Sequence, residues 1–289
     1  MGRLNLESIT ILNEEMLDHD LSRLTLIDMS WSRFSTYLDC NAKYKHRYIE
    51  GHKEDTTIPL ALGSAIHDTL EAIVKYNTKD DIEATGFYLT AIEKHKQELV
   101  LTAGEIEEGK RQVLNALIKM ETITNGDIKK VKGIETGFRY VIGRGNFLGF
   151  IDLIVLDEDE QGTFINVIDY KTGKNKYKVK THGQMKLYAL AVKRLYPEAR
   201  VKASLYWTRF GEIESYEFSD EELSEFKTET AQTVENIIND STFSPNGAMF
   251  KCCYCNFANK EVCKKGFSNR IIMEKAKRKR ELKKLNEVR

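Results

Sequence analysis

Three segments decide the reading of this chain: Gly149-Phe150-Ile151-Asp152, Val167-Ile168-Asp169-Tyr170-Lys171-Thr172-Gly173 and Gln184-Met185-Lys186-Leu187-Tyr188. Phe147 to Leu156 is apolar and partly β-branched, which predicts a strand stopped by the acidic run Asp157-Glu158-Asp159-Glu160. Phe164 to Lys171 predicts a second strand, entered from the turn at Gln161-Gly162. So short a polar connection predicts a hairpin. Asp152 and Asp169 then lie on neighbouring strands. Asp169 and Lys171, two positions apart, share a face.

Two carboxylates are the usual protein contribution to a Mg²⁺ site, because a hard ion takes oxygens and keeps several waters. A lysine beside them can orient a water or steady negative charge at a phosphate, which points to metal-assisted phosphodiester hydrolysis. The plain alternative is an ordinary hairpin with a surface ion pair, since an isolated D-x-K tripeptide arises by chance. The three segments in order resemble the PD-(D/E)xK nuclease superfamily, and within it the RecB-like branch, whose members show G-h-h-D, D-h-K-T-G and Q-h-h-h-Y. One departure is that Leu153 and Ile154 follow Asp152, where the branch often has arginine and a second acid.

The resemblance implies an α/β fold with a restriction-endonuclease-like central mixed sheet flanked by helices and a helical N-terminal portion. It implies that Asp152, Asp169 and the Tyr170 carbonyl hold Mg²⁺ or Mn²⁺. It further implies that Lys171 positions or activates the attacking water, and that Gln184 and Tyr188, one helical turn apart, touch substrate or the lysine. His67 lies in the helical pattern Leu60 to Glu71. As a lone histidine it reads as structural; the G-x-x-x-H pattern of the branch, here Gly63 to His67, implies a metal ligand. Glu135, on a strand expected over Ile134 to Ile142, reads either as a surface acid or, by resemblance, as a third carboxylate.

Outward from this centre, Ser30 is a candidate N-cap for a helix carrying Trp31, Phe34, Tyr37 and Leu38 at helical spacing, its aromatics reading as core or as a platform for stacked bases. This segment resembles the opening S-x-S-R/S-h-x-x-Y-x-x-C-P of the branch, with Asn41 in place of proline. Residues 81–124 predict two helices, Ile82 to Leu99 and Ala103 to Ile123, inserted before the sheet. His182 to Leu195 predicts a helix; Val201 to Trp207 and Glu212 to Phe218 predict strands. Ser219 and Glu222 form a capping box for a helix running to about Asp240.

At 289 residues, 41% hydrophobic and with 3 prolines, the chain can bury a substantial core. No run approaches the roughly 20 apolar residues of a membrane span. The N-terminus lacks an apolar signal core. A cytoplasmic protein of a bacterial or phage-infected cell, without membrane association, is expected. The formal net charge is zero, so global charge gives no reason to expect nucleic acid, but its distribution does. Residues 264–289 hold eleven basic and three acidic residues, a net charge of +8. They read as an arm that grips nucleic acid or as a solubilising tail. Lys174, Lys176 and Lys178 alternate just beyond Lys171 and suit a phosphate backbone or a solvated loop.

Four of the five cysteines, Cys252, Cys253, Cys255 and Cys263, crowd within twelve positions. In a cytosolic chain this suggests metal or cluster binding rather than disulfides. The run resembles the C-terminal cysteines of iron–sulfur nucleases of the branch, which include helicase–nuclease subunits of the AddB type and CRISPR-adaptation nucleases. The resemblance implies a [4Fe–4S] cluster on Cys40, Cys252, Cys255 and Cys263, a clasp joining the chain's two ends. Structural Zn²⁺ takes the same four thiolates, and Cys253 could replace Cys252.

The expected organisation is an arm over residues 1–29, a nuclease domain over 30–268 with the helical insertion at 81–124 and the cysteine cluster at 252–263, and a basic tail over 269–289. The expected function is a metal-dependent nuclease, an exonuclease on single-stranded DNA or DNA ends in recombination, repair or phage DNA processing. A helicase or recombination protein would be its partner, since no G-x-x-x-x-G-K-[ST] motif is present. The alternative is a non-catalytic DNA-binding or assembly module that keeps the fold.

Overall fold

The structure, a computed structural model, describes residues 26–287, with side chains described up to residue 281. Most of the arm expected over residues 1–29 lies outside the described residues. The elements run β1 (Ile27–Met29), α1 (Trp31–Asp39), α2 (Asn41–Tyr44), a π-helical turn (Lys45–Ile49), α3 (Ile58–Tyr76), α4 (Asp81–His95) and α5 (Ala103–Thr124). Then come β2 (Val131–Ile142), β3 (Gly145–Asp159), β4 (Gly162–Lys171), α6 (Gly183–Leu195), β5 (Arg200–Trp207), β6 (Glu212–Glu217), α7 (Asp220–Asn239) and α8 (Lys264–Glu287). The chain divides into two compact units. One takes residues 56–232 with the described residues before 29; the other takes residues 29–55 with those from 233 onward.

The first unit is built on a mixed sheet in the order β1-β3-β4-β5-β6, with β2 also paired to β3. β2, β3 and β4 are successive antiparallel neighbours, β4 and β5 run parallel, and β6 returns antiparallel to β5. The parallel pair is joined through α6, as a parallel connection requires. The mixed sheet with flanking helices is the restriction-endonuclease-like α/β architecture expected from the motifs.

Side-chain alternation explains how the sheet serves two layers. Leu153, Val155, Ile168, Tyr170 and Tyr206 face a core formed with Ile66, Leu70 and Ile73 of α3, Tyr88 and Ile92 of α4, and Val113, Ala116 and Met120 of α5. Each fully buried aliphatic side chain there contributes about 1.5–3 kcal/mol. With Tyr170 committed to that core, its neighbours Asp169 and Lys171 must face the other way. On that side lies α6, which packs against β2, β4 and β5.

Capping follows the sequence: Ser30 Oγ accepts the Arg33 N–H at 3.1 Å. At the start of α7, Ser219 Oγ accepts the Glu222 N–H at 3.2 Å while Glu222 accepts the Ser219 N–H at 3.0 Å. Several boundaries differ from expectation. The acidic run does not stop β3, because Arg200 and Lys202 lie 2.7 and 2.6 Å from the Asp159 carboxylate and Lys130 lies 3.1 Å from Asp157. These cations remove the repulsion that would end the strand, and pairing continues to Asp159 opposite Gly162. The first inserted helix ends at His95 rather than Leu99. Phe34 and Tyr37 of α1 are buried, whereas Leu38, also at helical spacing, is 55% exposed.

In the second unit the aromatics of α1 and α2 form the packing. Tyr37 meets Tyr44 edge-on at 5.5 Å, and Phe243 stacks on Tyr44 at 6.0 Å. Tyr37 donates its hydroxyl to Asp240, whose carboxylate also takes an amide N–H of Asn41, each at 3.0 Å. Cys40 falls in extended conformation at the break between α1 and α2.

Candidate active site

The β3–β4 ladder closes at Leu153 opposite Ile168. One residue further lie Asp152 and Asp169, and there the Asp152 side chain takes over from the backbone: its Oδ2 accepts the Tyr170 N–H at 2.6 Å. This holds the carboxylate at the point where the strands part. Asp152 and Asp169 are 8% and 3% exposed. Burial first, and then the neighbouring Asp169 charge, push the Asp152 carboxyl well above its ordinary range.

Lys171 Nζ lies 2.5 Å from Asp169 Oδ2 and donates to Gln184 Oε1 at 3.0 Å. Gln184 donates its Nε2–H to Tyr188 Oη at 2.7 Å, and Tyr188 donates in turn to the Phe150 carbonyl at 2.6 Å. A relay thus runs from β3 through α6 to the lysine. Burial works against the Lys171 charge, but Asp169, Tyr177 and Asp152 together outweigh it and the ammonium pKa rises.

His67 comes from α3. Its Nε2 lies 3.1 Å from the Tyr170 carbonyl and its Nδ1 3.5 Å from Asp152 Oδ2. Burial lowers the imidazole pKa, favouring the neutral, ligating form. Assigning the tautomer from its backbone contact puts the Nε2–H on the Tyr170 carbonyl. The Nδ1 lone pair then faces Asp152 across a space that suits a cation.

Glu135 completes this group. Ile134 and Thr136 pair with Leu153 and Ile151, which sets Glu135 abreast of Asp152. One donor atom each from His67, Glu135 and Asp152 lie within 4.8 Å of one another. Glu135 has a φ of +44°, in the left-handed region that non-glycine residues seldom adopt. Such strain persists where surrounding structure over-determines it, often at functional sites. Burial, then Glu71 and Asp68, raise its pKa. Its position corrects the reading of Glu135 as a surface acid. Strand alternation alone could not assign its face, because the local backbone departs from regular β geometry.

The motif glycines have steric reasons. A Cβ on Gly149 would stand 2.8 Å from the Phe138 ring, and Phe138 meets Tyr188 edge-on at 5.4 Å. Gly149 therefore leaves room for the ring that backs the relay. A Cβ on Gly63 would meet Thr172 Oγ1 at 3.1 Å, so α3 approaches the D-h-K-T-G turn closely and carries His67 with it.

The three loop lysines are not equivalent. Lys176 is 2.6 Å from Glu212 and lies over Phe210, Lys178 is 3.8 Å from Glu214, and Lys174 is exposed. Tyr177 and His182, which the motifs do not cover, stack at 4.8 Å. The Lys171 and Asp169 charges act on both of them.

In the second unit, a cavity of about 250 Å³ is lined by Cys40, Cys252, Cys255 and Cys263. Cys252, not Cys253, forms its wall. Cys263 Sγ accepts the Gly266 N–H at 3.4 Å and Cys252 Sγ accepts from Asn269 Nδ2 at 3.6 Å. Burial raises the Cys255 and Cys263 thiols.

A mixed sheet with acids on adjacent strands where their pairing ends, and a lysine two residues beyond the second, define a nuclease-type α/β domain of the restriction-endonuclease-like class. The chain belongs to the PD-(D/E)XK nuclease superfamily, whose family model matches residues 28–264. The crystal structure of a candidate exonuclease from Eubacterium rectale is similar at a TM-score of 0.51 and 15% identity, over 85% of this chain and 93% of that one. The crystal structure of SSO0001 matches at 14% identity over 78% of this chain and 95% of that one; its TM-score of 0.31 supports no structural argument. No curated protein matches the chain significantly.

Proposed function

We propose that this protein is a Mg²⁺- or Mn²⁺-dependent deoxyribonuclease of the RecB-like branch, acting as an exonuclease on single-stranded DNA or DNA ends. The observation that carries the reading is the convergence of His67, Glu135 and Asp152, with Asp169 and a relay-held Lys171 beside them. The donor set fits a hard divalent cation: carboxylate oxygens, the Tyr170 carbonyl and one neutral imidazole. The unfavourable charge of the buried Asp152, beside the Asp169 carboxylate, is what such an ion would relieve. The bound ion would supply charge stabilisation at the phosphate and a lowered water pKa.

The remaining roles belong to the chain. Lys171, held between Asp169 and Gln184, orients the attacking water. Gln184 and Tyr188 act through Lys171 and are positioning residues. Lys174, with Lys176 and Lys178 exchanging their acidic partners for phosphates, guides the DNA backbone. The similar E. rectale structure is that of a candidate exonuclease, in keeping with this reading. Recombination, repair or phage DNA processing alongside a helicase or recombination protein is the setting that the branch suggests.

The cysteine cavity is proposed to hold a [4Fe–4S] cluster on Cys40, Cys252, Cys255 and Cys263. Four cysteines around one cavity, with N–H donors on two of the sulfurs, suit thiolates that bind a cluster; Zn²⁺ is the competing occupant. Cleavage polarity is tested with labelled single-stranded DNA blocked at either end, in Mg²⁺ or Mn²⁺ with EDTA controls. Loss of cleavage on blocking one end supports an exonuclease. Internal cuts in doubly blocked substrate overturn that part of the reading, and no cleavage of any DNA overturns the whole.

A further inference from the structure

We propose a second metal site, formed by His46, Glu50 and His52, for a borderline transition ion of the Zn²⁺ class. It belongs to the second unit and lies beside the cysteine cavity, which His46 and Phe257 also line.

The backbone builds the site before any ion is considered. Residues Lys45–Ile49 form a π-helical turn, a feature often found at functional positions. The Glu50 N–H reaches back to the Lys45 carbonyl at 2.9 Å, and the His52 N–H to the His46 carbonyl at 2.9 Å. Gly51, at φ +73°, supplies the left-handed residue that turns the chain. His52 is thereby brought back over His46, with Glu50 between them.

The side chains then converge. His46 Nδ1 lies 2.6 Å and His52 Nε2 3.4 Å from the same carboxylate oxygen, Glu50 Oε2. One donor atom from each residue lies within 4.8 Å of the other two. Both rings rest on the buried Phe257 ring, at 5.9 and 6.3 Å between centroids. That floor limits their rotation and lowers the entropy lost on binding.

The cations around the site, Lys43, Lys45 and Arg47, are partly offset by Glu50 and Glu54. Arg47 and Lys43 are both engaged by Glu54, at 2.6 and 2.9 Å. Lys45 is 3.5 Å from the other oxygen of Glu50 and is the cation an ion would displace. Two imidazoles and one carboxylate suit Zn²⁺ and its neighbours rather than Mg²⁺ or Ca²⁺. The His52 side chain is 45% exposed, leaving solvent to complete a four-coordinate shell.

The test titrates full-length protein, its cysteine site as isolated, with Co²⁺ in excess Mg²⁺, and follows unfolding in Zn²⁺. One equivalent of Co²⁺ is expected to give weak visible bands without intense thiolate charge transfer. His52→Ala, at an exposed position, and Glu50→Gln should each weaken binding about tenfold or more and abolish the Zn²⁺-dependent rise in Tm. His67→Ala should leave both intact. The proposal is overturned by the absence of binding or by equal binding in His52→Ala. It is equally overturned by loss of the equivalent in His67→Ala, or by a thiolate charge-transfer band that places the ion on the cysteines.

Discussion

Glu135 is the residue on which the chemistry can be weighed most simply. It is half-buried, held in a left-handed backbone conformation and placed beside Asp152 and His67. Glu135→Gln keeps the shape and removes one charge. Metal-dependent cleavage should fall roughly 10–100-fold while the metal-free Tm stays the same or rises, because a carboxylate destabilised by burial is replaced by a neutral amide. Unchanged cleavage would remove Glu135 from the site. A second expectation concerns pH. Burial, reinforced by Lys171, lowers the His182 pKa to about 4. The folded state therefore binds its proton less readily than the unfolded chain. The contribution to stability is complete above the ordinary histidine range and is lost as pH falls toward about 4. Melting curves between pH 7 and pH 4 should show this decline, and His182→Phe, which preserves stacking on Tyr177, should flatten it.

At the scale of elements, the site is made by the end of the β3–β4 ladder and by one helix, α6. β3 and β4 bring the acids to neighbouring positions, and α6 brings Gln184 and Tyr188 over the lysine. Tyr188→Phe removes the hydroxyl that joins Gln184 to the Phe150 carbonyl. Stability should fall by about 1–2 kcal/mol from lost hydrogen bonds. Turnover should fall further than that loss explains, with substrate binding little altered; a fall in binding with turnover unchanged would place Tyr188 outside the relay. Much of this arrangement was legible in the sequence because it is local. A period of two places Asp169 beside Lys171, and a turn of helix places Gln184 beside Tyr188. The extension of β3 through Asp157 and Asp159 was not legible, since its cause is Arg200 and Lys202 some forty residues later. The face of Glu135 was left open for a related reason, and only the resemblance offered it as a third carboxylate: a strand pattern reports which side chains alternate, not where one backbone position leaves the regular conformation. The exposure of Leu38 likewise depends on packing partners that helical spacing does not name.

For the molecule as a whole, each compact unit carries its own chemistry. Carboxylates and lysine belong to the sheet unit; the four cysteines and the proposed histidine site belong to the other. Among the described residues, no helix is long and apolar enough to cross a membrane. If the cysteine cavity holds a cluster, the purified protein should contain about four irons per chain and absorb in the thiolate–iron region. Cys255→Ser should lose iron, and Cys253→Ser should retain it. Zinc without iron in the anaerobically purified protein would replace the cluster reading with a structural zinc site. The central claim, hydrolysis at the carboxylate–lysine site, is tested most directly by timed cleavage of labelled single-stranded DNA in Mn²⁺. Wild type, Lys171→Ala and Asp169→Ala are compared after each is verified as folded. The account predicts cleavage by the wild type that EDTA stops, and none above background by either variant. Undiminished cleavage by either variant would contradict it.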